Sequence, residues 1–228
     1  MKHLNAACFL IVLVACAAPA AFAGTVTYAT INPGTSTGTT GTIGGVSFTY
    51  TGAYAFIDAS NTGAYNYFTP TSTYTSATVS NAPTDGGMIS ISDTGLTHTF
   101  TFSTPVTDLI LSEVSLGEPS IPTSYTFNSD FTVLSCGPNS VYGGGCFSSG
   151  GVGTTGDVLQ GSESDGTIEF TGPITSLSFT TAYGEYWNGF DIGLAGETVA
   201  PTPEPSSLIL LGTSLVGLAG FARRRFAC

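Results

Sequence analysis

"LTHTFTFSTPVTDLILSEV", residues 96–114, holds two apolar stretches on either side of a polar Ser-Thr-Pro-Val-Thr break. In the first, Leu96, His98, Phe100 and Phe102 occupy alternate positions, with threonine between them. A period of two is the side-chain period of a β-strand and does not fit a helix. Working outward, the same pattern recurs in "TVTYATI" (25–31), "VSFTY" (46–50), "AYAFI" (53–57), "MISIS" (88–92) and "DFTVLS" (130–135). It appears again in "TIEF" (167–170), "SLSFTT" (176–181) and "GFDIGLA" (189–195), and turn-forming Gly, Pro, Asn, Asp and Ser separate the runs. Counting "LTHTFTF" (96–102) and "DLILSEV" (108–114), ten short strands without helical periodicity predict an all-β body. The expected architecture is an antiparallel β-sandwich, jelly-roll-like. Residues 32–45 read as a flexible connector and residues 136–166 as a long irregular excursion. Residues 24–200 are enough for one domain with a core of its own.

The charges exclude several functions. The only basic side chains are Lys2, Arg223, Arg224 and Arg225, so residues 24–200 contain neither Lys nor Arg. Nucleic-acid binding needs basic groups to neutralise phosphates, and phosphoryl transfer and Schiff-base chemistry need Arg or Lys. None of these fits the body. Stability must come from burial and backbone hydrogen bonding rather than from Lys or Arg ion pairs.

The N-terminal end reads as an export signal over residues 1–23. Lys2 precedes an apolar run, Ala6–Val14, and Ala21-Phe22-Ala23 offers small residues at a cleavage site before Gly24. Leu13-Val14-Ala15-Cys16 also fits a lipoprotein box, which would place a lipid on Cys16. Both routes export the chain. In an exported body, Cys136 and Cys146 of "CGPNSVYGGGC" read as a disulfide, for which loop-closure models give roughly 2–3 kcal/mol.

At the other end stands "TPEPSSLILLGTSLVGLAGFARRR", residues 202–225. Ser206–Ala222 would make a helix of ~25 Å, near the lower limit for spanning a bilayer. Arg223, Arg224 and Arg225 would hold its end in the cytoplasm, and Pro203 and Pro205 would keep Glu204 in an extended handle outside. The stretch resembles the PEP-CTERM sorting signal of Gram-negative bacteria, which joins Pro-Glu-Pro, a Gly-interrupted apolar helix and an Arg cluster. Here those elements are Pro203-Glu204-Pro205, residues 206–222 and the tail 223–228; the usual Val before the motif is Thr202. The resemblance implies an inner-membrane-anchored precursor and an exosortase-type membrane protease as partner. It also implies a destination at the cell surface or in an exopolysaccharide-rich matrix.

Catalytic motifs are weak. Gly151–Gly156 fits G-x-G-x-x-G but lacks the strand before it and the helix after it. Gly34–Gly38 fits the nucleophile elbow G-x-S-x-G, but a Gly/Thr loop surrounds it. His98, the one His of the body, is expected at a sheet edge. Glu163, Asp165 and Glu169 resemble the acid strand of a jelly-roll glycoside hydrolase family. On an extended chain Glu163 and Glu169 would lie ~20 Å apart, too far for a retaining pair. "GSESDG" reads instead as a polar turn, and the body is expected to be non-catalytic. Two binding readings remain. Tyr183, Tyr186 and Trp187 in "AYGEYWNGF" could stack on sugar rings, or Trp187 could cap the core. By analogy with jelly-roll carbohydrate-binding modules, Asp191 is a candidate ligand for a structural Ca²⁺; no other cofactor is expected.

Overall fold

The computed structural model describes residues 23–196 except Ala64, Asp85 and Ser140, together with Ser214. Residues 1–22 of the expected signal, Pro203-Glu204-Pro205, the expected helix 206–222 apart from Ser214, and Arg223–Arg225 lie outside the described residues. Among the described residues no helix is long and apolar enough to cross a membrane.

Among the described residues thirteen strands carry the alternation. They are β1 (Val26–Tyr28), β2 (Thr30–Ile31), β3 (Gly38–Ile43), β4 (Val46–Thr51), β5 (Phe56–Asp58), β6 (Met88–Ile91) and β7 (Thr97–Val106). There follow β8 (Leu109–Leu116), β9 (Thr123–Cys136), β10 (Thr155–Gly161), β11 (Ser164–Phe170), β12 (Ile174–Thr181) and β13 (Asn188–Ala195). All pair antiparallel in one sheet of order β2-β3-β4-β7-β12-β9-β11-β8-β13-β6-β5, with β1 beside β13 and β10 beside β9.

The two halves of this sheet face each other across the core. Phe190 of β13 meets Tyr50 of β4, Phe100 of β7 and Tyr125 of β9 at ring-centroid distances of 6.2, 6.0 and 6.3 Å. None of those strands hydrogen-bonds to β13, so the rings meet edge-on between the two layers. The long β9 serves both halves, pairing with β12 through Tyr125–Phe127 and with β11 through Thr132–Cys136. Near the far edge β1 pairs with β13 and β2 with β3, while Ser60 N donates to Ile31 O at 3.0 Å. The result is all-β and sandwich-like, with its two layers cut from one sheet that is nearly closed into a barrel.

Residues 96–114 contain both kinds of strand that this arrangement needs. In β7, His98, Phe100 and Phe102 are buried and Thr97, Thr101 and Ser103 face solvent. In β8 every residue from Leu109 to Leu116 is buried. Leu109, Leu111 and Leu116 enter the inter-layer core. Val114 packs with Phe68, Tyr74 and Met88, and Ile110 with Val26 and Val79, on the opposite face. The connection between β5 and β6 lies over that face, so β8 is covered on both sides, as a continuous apolar run requires. Each such side chain is worth about 1.5–3 kcal/mol in burial.

Each of the ten expected strands has a counterpart, but the connectors were read too loosely. The supposed flexible segment 32–45 contains β3, whose Gly41 is required because an added Cβ would lie 2.4 Å from the Phe48 ring and from Thr30 O. The supposed excursion 136–166 contains β10 and the start of β11, and β9 begins at Thr123 rather than Asp130. His98 is not at a sheet edge: β7 lies between β4 and β12, and the imidazole is buried against Phe179 at 4.9 Å.

Candidate functional site

Loops from four places meet at one end of the sandwich. Ser115, Glu118 and Pro119 follow the middle of β8; Val141, Tyr142 and Gly143 belong to the β9–β10 connection. Glu163 sits in the β10–β11 turn, and Glu185, Tyr186 and Trp187 come from the β12–β13 loop. Together they line an open cleft of about 470 Å³. Its backbone is unusual, since Ser115 and Glu163 are non-glycine residues at φ 63° and 56°. Gly117 lets β8 turn beside β10, because a Cβ there would stand 2.3 Å from Gly161 O.

The cleft is lined by acceptors. Ser115 Oγ donates to Glu163 Oε2 at 2.8 Å, and Tyr186 N donates to Glu118 Oε1 at 3.0 Å. Glu185 Oε1 accepts from Gly117 N at 2.9 Å and from Asn188 Nδ2. Two further carboxyls lie behind this lining. Asp165 Oδ1 accepts from Ser115 N at 3.0 Å and from the Tyr74 hydroxyl at 3.4 Å. Glu113 Oε1 lies 3.2 Å from the Tyr125 hydroxyl, which also meets Asn188 Oδ1. Among the described residues Glu113 Oε2 is buried without a hydrogen-bond partner, and the Asn139 backbone is a further neighbour of the Asp165 carboxyl.

Residues 24–200 contain no Lys or Arg that could offset this concentration of acid. Burial raises the Glu185 pKa to about 7, with hydrogen bonds from Asn188 and Gly117 opposing it and the charges of Glu163 and Glu118 adding to it. Burial likewise raises Asp165 to about 7, against the hydrogen bonds from Ser115 and Tyr74. Glu113, wholly buried and next to Glu185, is pushed well above the usual carboxylate range.

An aromatic wall completes the cleft. Trp187 packs edge-on against Tyr142 at 5.0 Å and Tyr67 at 5.6 Å, and lies 5.9 Å from Phe56. Tyr186 stands free at 85% exposure. Asn139 fixes the opposite loop: its Oδ1 accepts from Val141 N and Tyr142 N, and its Nδ2 donates to Tyr67 O and the Tyr74 hydroxyl. Cys136 and Cys146 are disulfide-bonded with Cα atoms 4.7 Å apart, closing the loop that carries Val141, Tyr142 and Gly143.

The structure therefore brings Tyr186 and Trp187 into one site and leaves Tyr183, 61% exposed, outside its lining. Trp187 is half-buried, so it both packs the wall and faces the cleft. The stretch read as a polar turn does hold the turn, at Ser162 and Glu163, but Asp165 is buried within β11 at a bulge, and only Glu163 turns to the cleft. Asp191 lies elsewhere, buried in β13, its Oδ1 accepting from Ile192 N at 2.7 Å. It lines a second cavity of about 270 Å³ with Tyr28, Ser60, Asn61, Asn81 and Thr84. Burial raises its pKa well above the ordinary value. Among the described residues no group of three His, Cys, Asp or Glu is placed to hold a metal ion.

His98 hydrogen-bonds Asp93 Oδ1 through Nε2 at 3.0 Å and the Tyr50 hydroxyl through Nδ1 at 2.7 Å; Ser36 is not among its partners. Gly151–Gly156 runs through a turn into β10, not into a helix. Sequence reading missed Glu113, Glu118 and Tyr142 as site residues, and set Glu163 and Asp165 aside as parts of a polar turn. The signal for Glu113 was present, since a carboxyl inside the apolar run "LILSEVSL" has no Lys or Arg in the body to pair with.

Residues 201–225 match the family model of the PEP-CTERM protein-sorting motif. No curated protein matches the chain. Among solved structures, a truncated AlyQ with CBM32 and alginate lyase domains is similar at 16% identity and a TM-score of 0.25, over 48% of this chain and 26% of that one. The match thus spans about a quarter of that structure's length.

Proposed function

We propose that this chain, which carries a PEP-CTERM sorting motif and is thereby marked for export, a membrane-anchored precursor and exosortase processing, is a non-catalytic glycan-binding protein of the cell surface or extracellular matrix. The observation that carries this reading is the cleft itself. Tyr186, Trp187 and Tyr142 supply ring faces and edges beside the carboxylates of Glu118, Glu163 and Glu185. Sugar rings are bound by that combination: C–H faces stack on aromatic rings while hydroxyls donate to fixed acceptors. The acceptors are held by backbone amides and by Ser115, so little ordering is left for binding. Exopolysaccharide around the cell would be the partner.

The test is a glycan-binding screen on the full chain in mild detergent, repeated with Tyr186→Ala. Tyr186 is so exposed that its removal leaves the fold intact, so loss of binding in that variant reports on the site. Absence of binding to any glycan would remove the reading.

One observation favours a second reading, hydrolysis of the bound glycan. Glu185 has a pKa raised to about 7 and lies in the same cleft as Glu163, and a general acid needs a carboxyl protonated near neutrality. Release of reducing ends by the full chain, abolished in Glu185→Gln, would establish it; no release leaves binding alone.

A further inference from the structure

Resting on the glycan-binding reading, we infer that the ligand is an amine-bearing glycan, a hexosamine polymer with free ammonium groups, rather than a neutral or acidic one. Three kinds of observation carry this.

The first is charge. Glu118, Glu163 and Glu185 line one cleft, and Glu113 and Asp165 lie behind it, wholly buried; burial keeps those two and much of Glu185 protonated near pH 6.5, so the negative field of the cleft is chiefly that of Glu118 and Glu163. Asp165 sits directly under the lining, since the same Ser115 that donates through its amide to Asp165 donates through its hydroxyl to Glu163. Nothing in the body offsets them: there is no Lys or Arg between residues 24 and 200, and His98 is occupied by Asp93 and Tyr50. A uronate or sulfated polymer entering this field meets repulsion, while a cationic one is drawn in.

The second is hydrogen-bond type. Glu118, Glu163 and Glu185 each use one oxygen to accept from Tyr186 N, Ser115 Oγ, or Gly117 N and Asn188 Nδ2. The other oxygen of each has no hydrogen-bond partner among the described residues. An ammonium carries three donors and no acceptor, which is the complement of such a lining. Trp187 and Tyr186 add ring faces on which a cationic sugar gains further attraction.

The third is what the carboxyls do not form. Among the described residues no three of them converge to hold a metal ion, so a calcium bridge to a uronate has no site built for it there.

The experiment is calorimetry on the full chain near pH 6.5 with four probes: a β-1,4-glucosamine tetramer, its N-acetylated counterpart, a tetrauronate with and without CaCl₂, and tetralysine. The glucosamine tetramer should bind about tenfold or more tighter than the acetylated one, and more weakly as NaCl is raised. Glu118→Gln/Glu163→Gln should lose about tenfold for the amine sugar and little for the acetylated one. Tyr186→Ala should weaken both, which guards against misreading a folding defect in the double variant. Equal binding of the acetylated tetramer overturns the charge inference and leaves glycan binding standing. So does uronate binding that depends on calcium. Tetralysine binding as tightly as the amine sugar overturns it too, because the cleft would then read charge without a ring. If no sugar binds, the underlying reading fails.

Discussion

Glu113 and Tyr125 meet inside the core, with Glu113 Oε1 3.2 Å from the phenol oxygen. That hydroxyl also contacts Asn188 Oδ1, and it has only one proton for two oxygens. Glu113 is fully buried, its pKa is pushed well above normal by that burial, and residues 24–200 contain no Lys or Arg to pair with it. The consistent assignment is a protonated Glu113 donating to Tyr125, which donates to Asn188, whose amide donates to Glu185. A chain of hydrogen bonds thus runs from the core to the cleft.

Glu113→Gln should therefore be tolerated, because the amide can replace the acid's donor. At pH 8 its urea midpoint should equal or exceed that of the parent. Tyr125→Phe should cost about 1–3 kcal/mol by leaving buried oxygens without a partner. Urea unfolding of both variants checks this, and a Glu113→Gln protein markedly less stable than Tyr125→Phe would overturn the assignment.

Stability should fall as pH rises. Asp165 and Glu185 keep their protons up to about pH 7 in the folded state. Unfolded carboxyls lose theirs near pH 4, so the folded state binds more protons across that window. The stabilisation is complete below about pH 4 and is lost as pH passes through about 7; Glu113 and Asp191, also raised, extend the trend. The midpoint for unfolding should be higher at pH 5 than at pH 8, and Glu185→Gln should flatten the difference. A midpoint that climbs with pH would contradict the burial of these groups.

Reduction of Cys136–Cys146, or Cys136→Ser/Cys146→Ser, should destabilise the chain by about 2–3 kcal/mol. Because the bridge closes the loop bearing Tyr142, it should also weaken glycan binding more than Val141→Ala does. Parallel unfolding and binding measurements with and without reductant separate the two effects.

Trp187→Ala and Tyr186→Ala should behave differently. Trp187 touches Phe56, Tyr67 and Tyr142, so its truncation should cost about 2–4 kcal/mol as well as binding. Tyr186, nearly free of the protein, should affect binding alone. Thermal unfolding of the two variants side by side tests the distinction.

His98→Phe should keep the stacking on Phe179 but remove one of two partners each from the Tyr50 hydroxyl, which keeps Ala53 O, and from Asp93 Oδ1, which keeps Thr181 Oγ1, costing about 0.5–1.5 kcal/mol. Neutral or improved stability would show that the imidazole is not needed to satisfy them.

Local pattern alone was enough for the sorting tail and for the strands other than β3 and β10. Side-chain alternation is a property of neighbouring residues, so "THTFTF" and "SLSFTT" reveal β-structure without any partner. Pro203-Glu204-Pro205, the apolar run and Arg223–Arg225 are likewise contiguous, and the motif match covers the same stretch. The absence of Lys and Arg could be counted, and it excluded whole classes of chemistry. Cys136 and Cys146 were close enough in sequence to pair by inspection.

The cleft was another matter. Glu118, Tyr142, Glu163 and Glu185 come from four separate connections, and only the folding of one sheet into two facing layers brings their loops to the same end. Whether Asp165 is a solvated turn residue or a buried acid depends on what covers β11. The cover is Tyr74 and Asn139, more than 20 residues away along the chain. Burial and the electric field of remote groups are sums over three-dimensional neighbours. Strand periodicity and the tail could therefore be read from order alone, while the position and protonation of the acids required the tertiary structure.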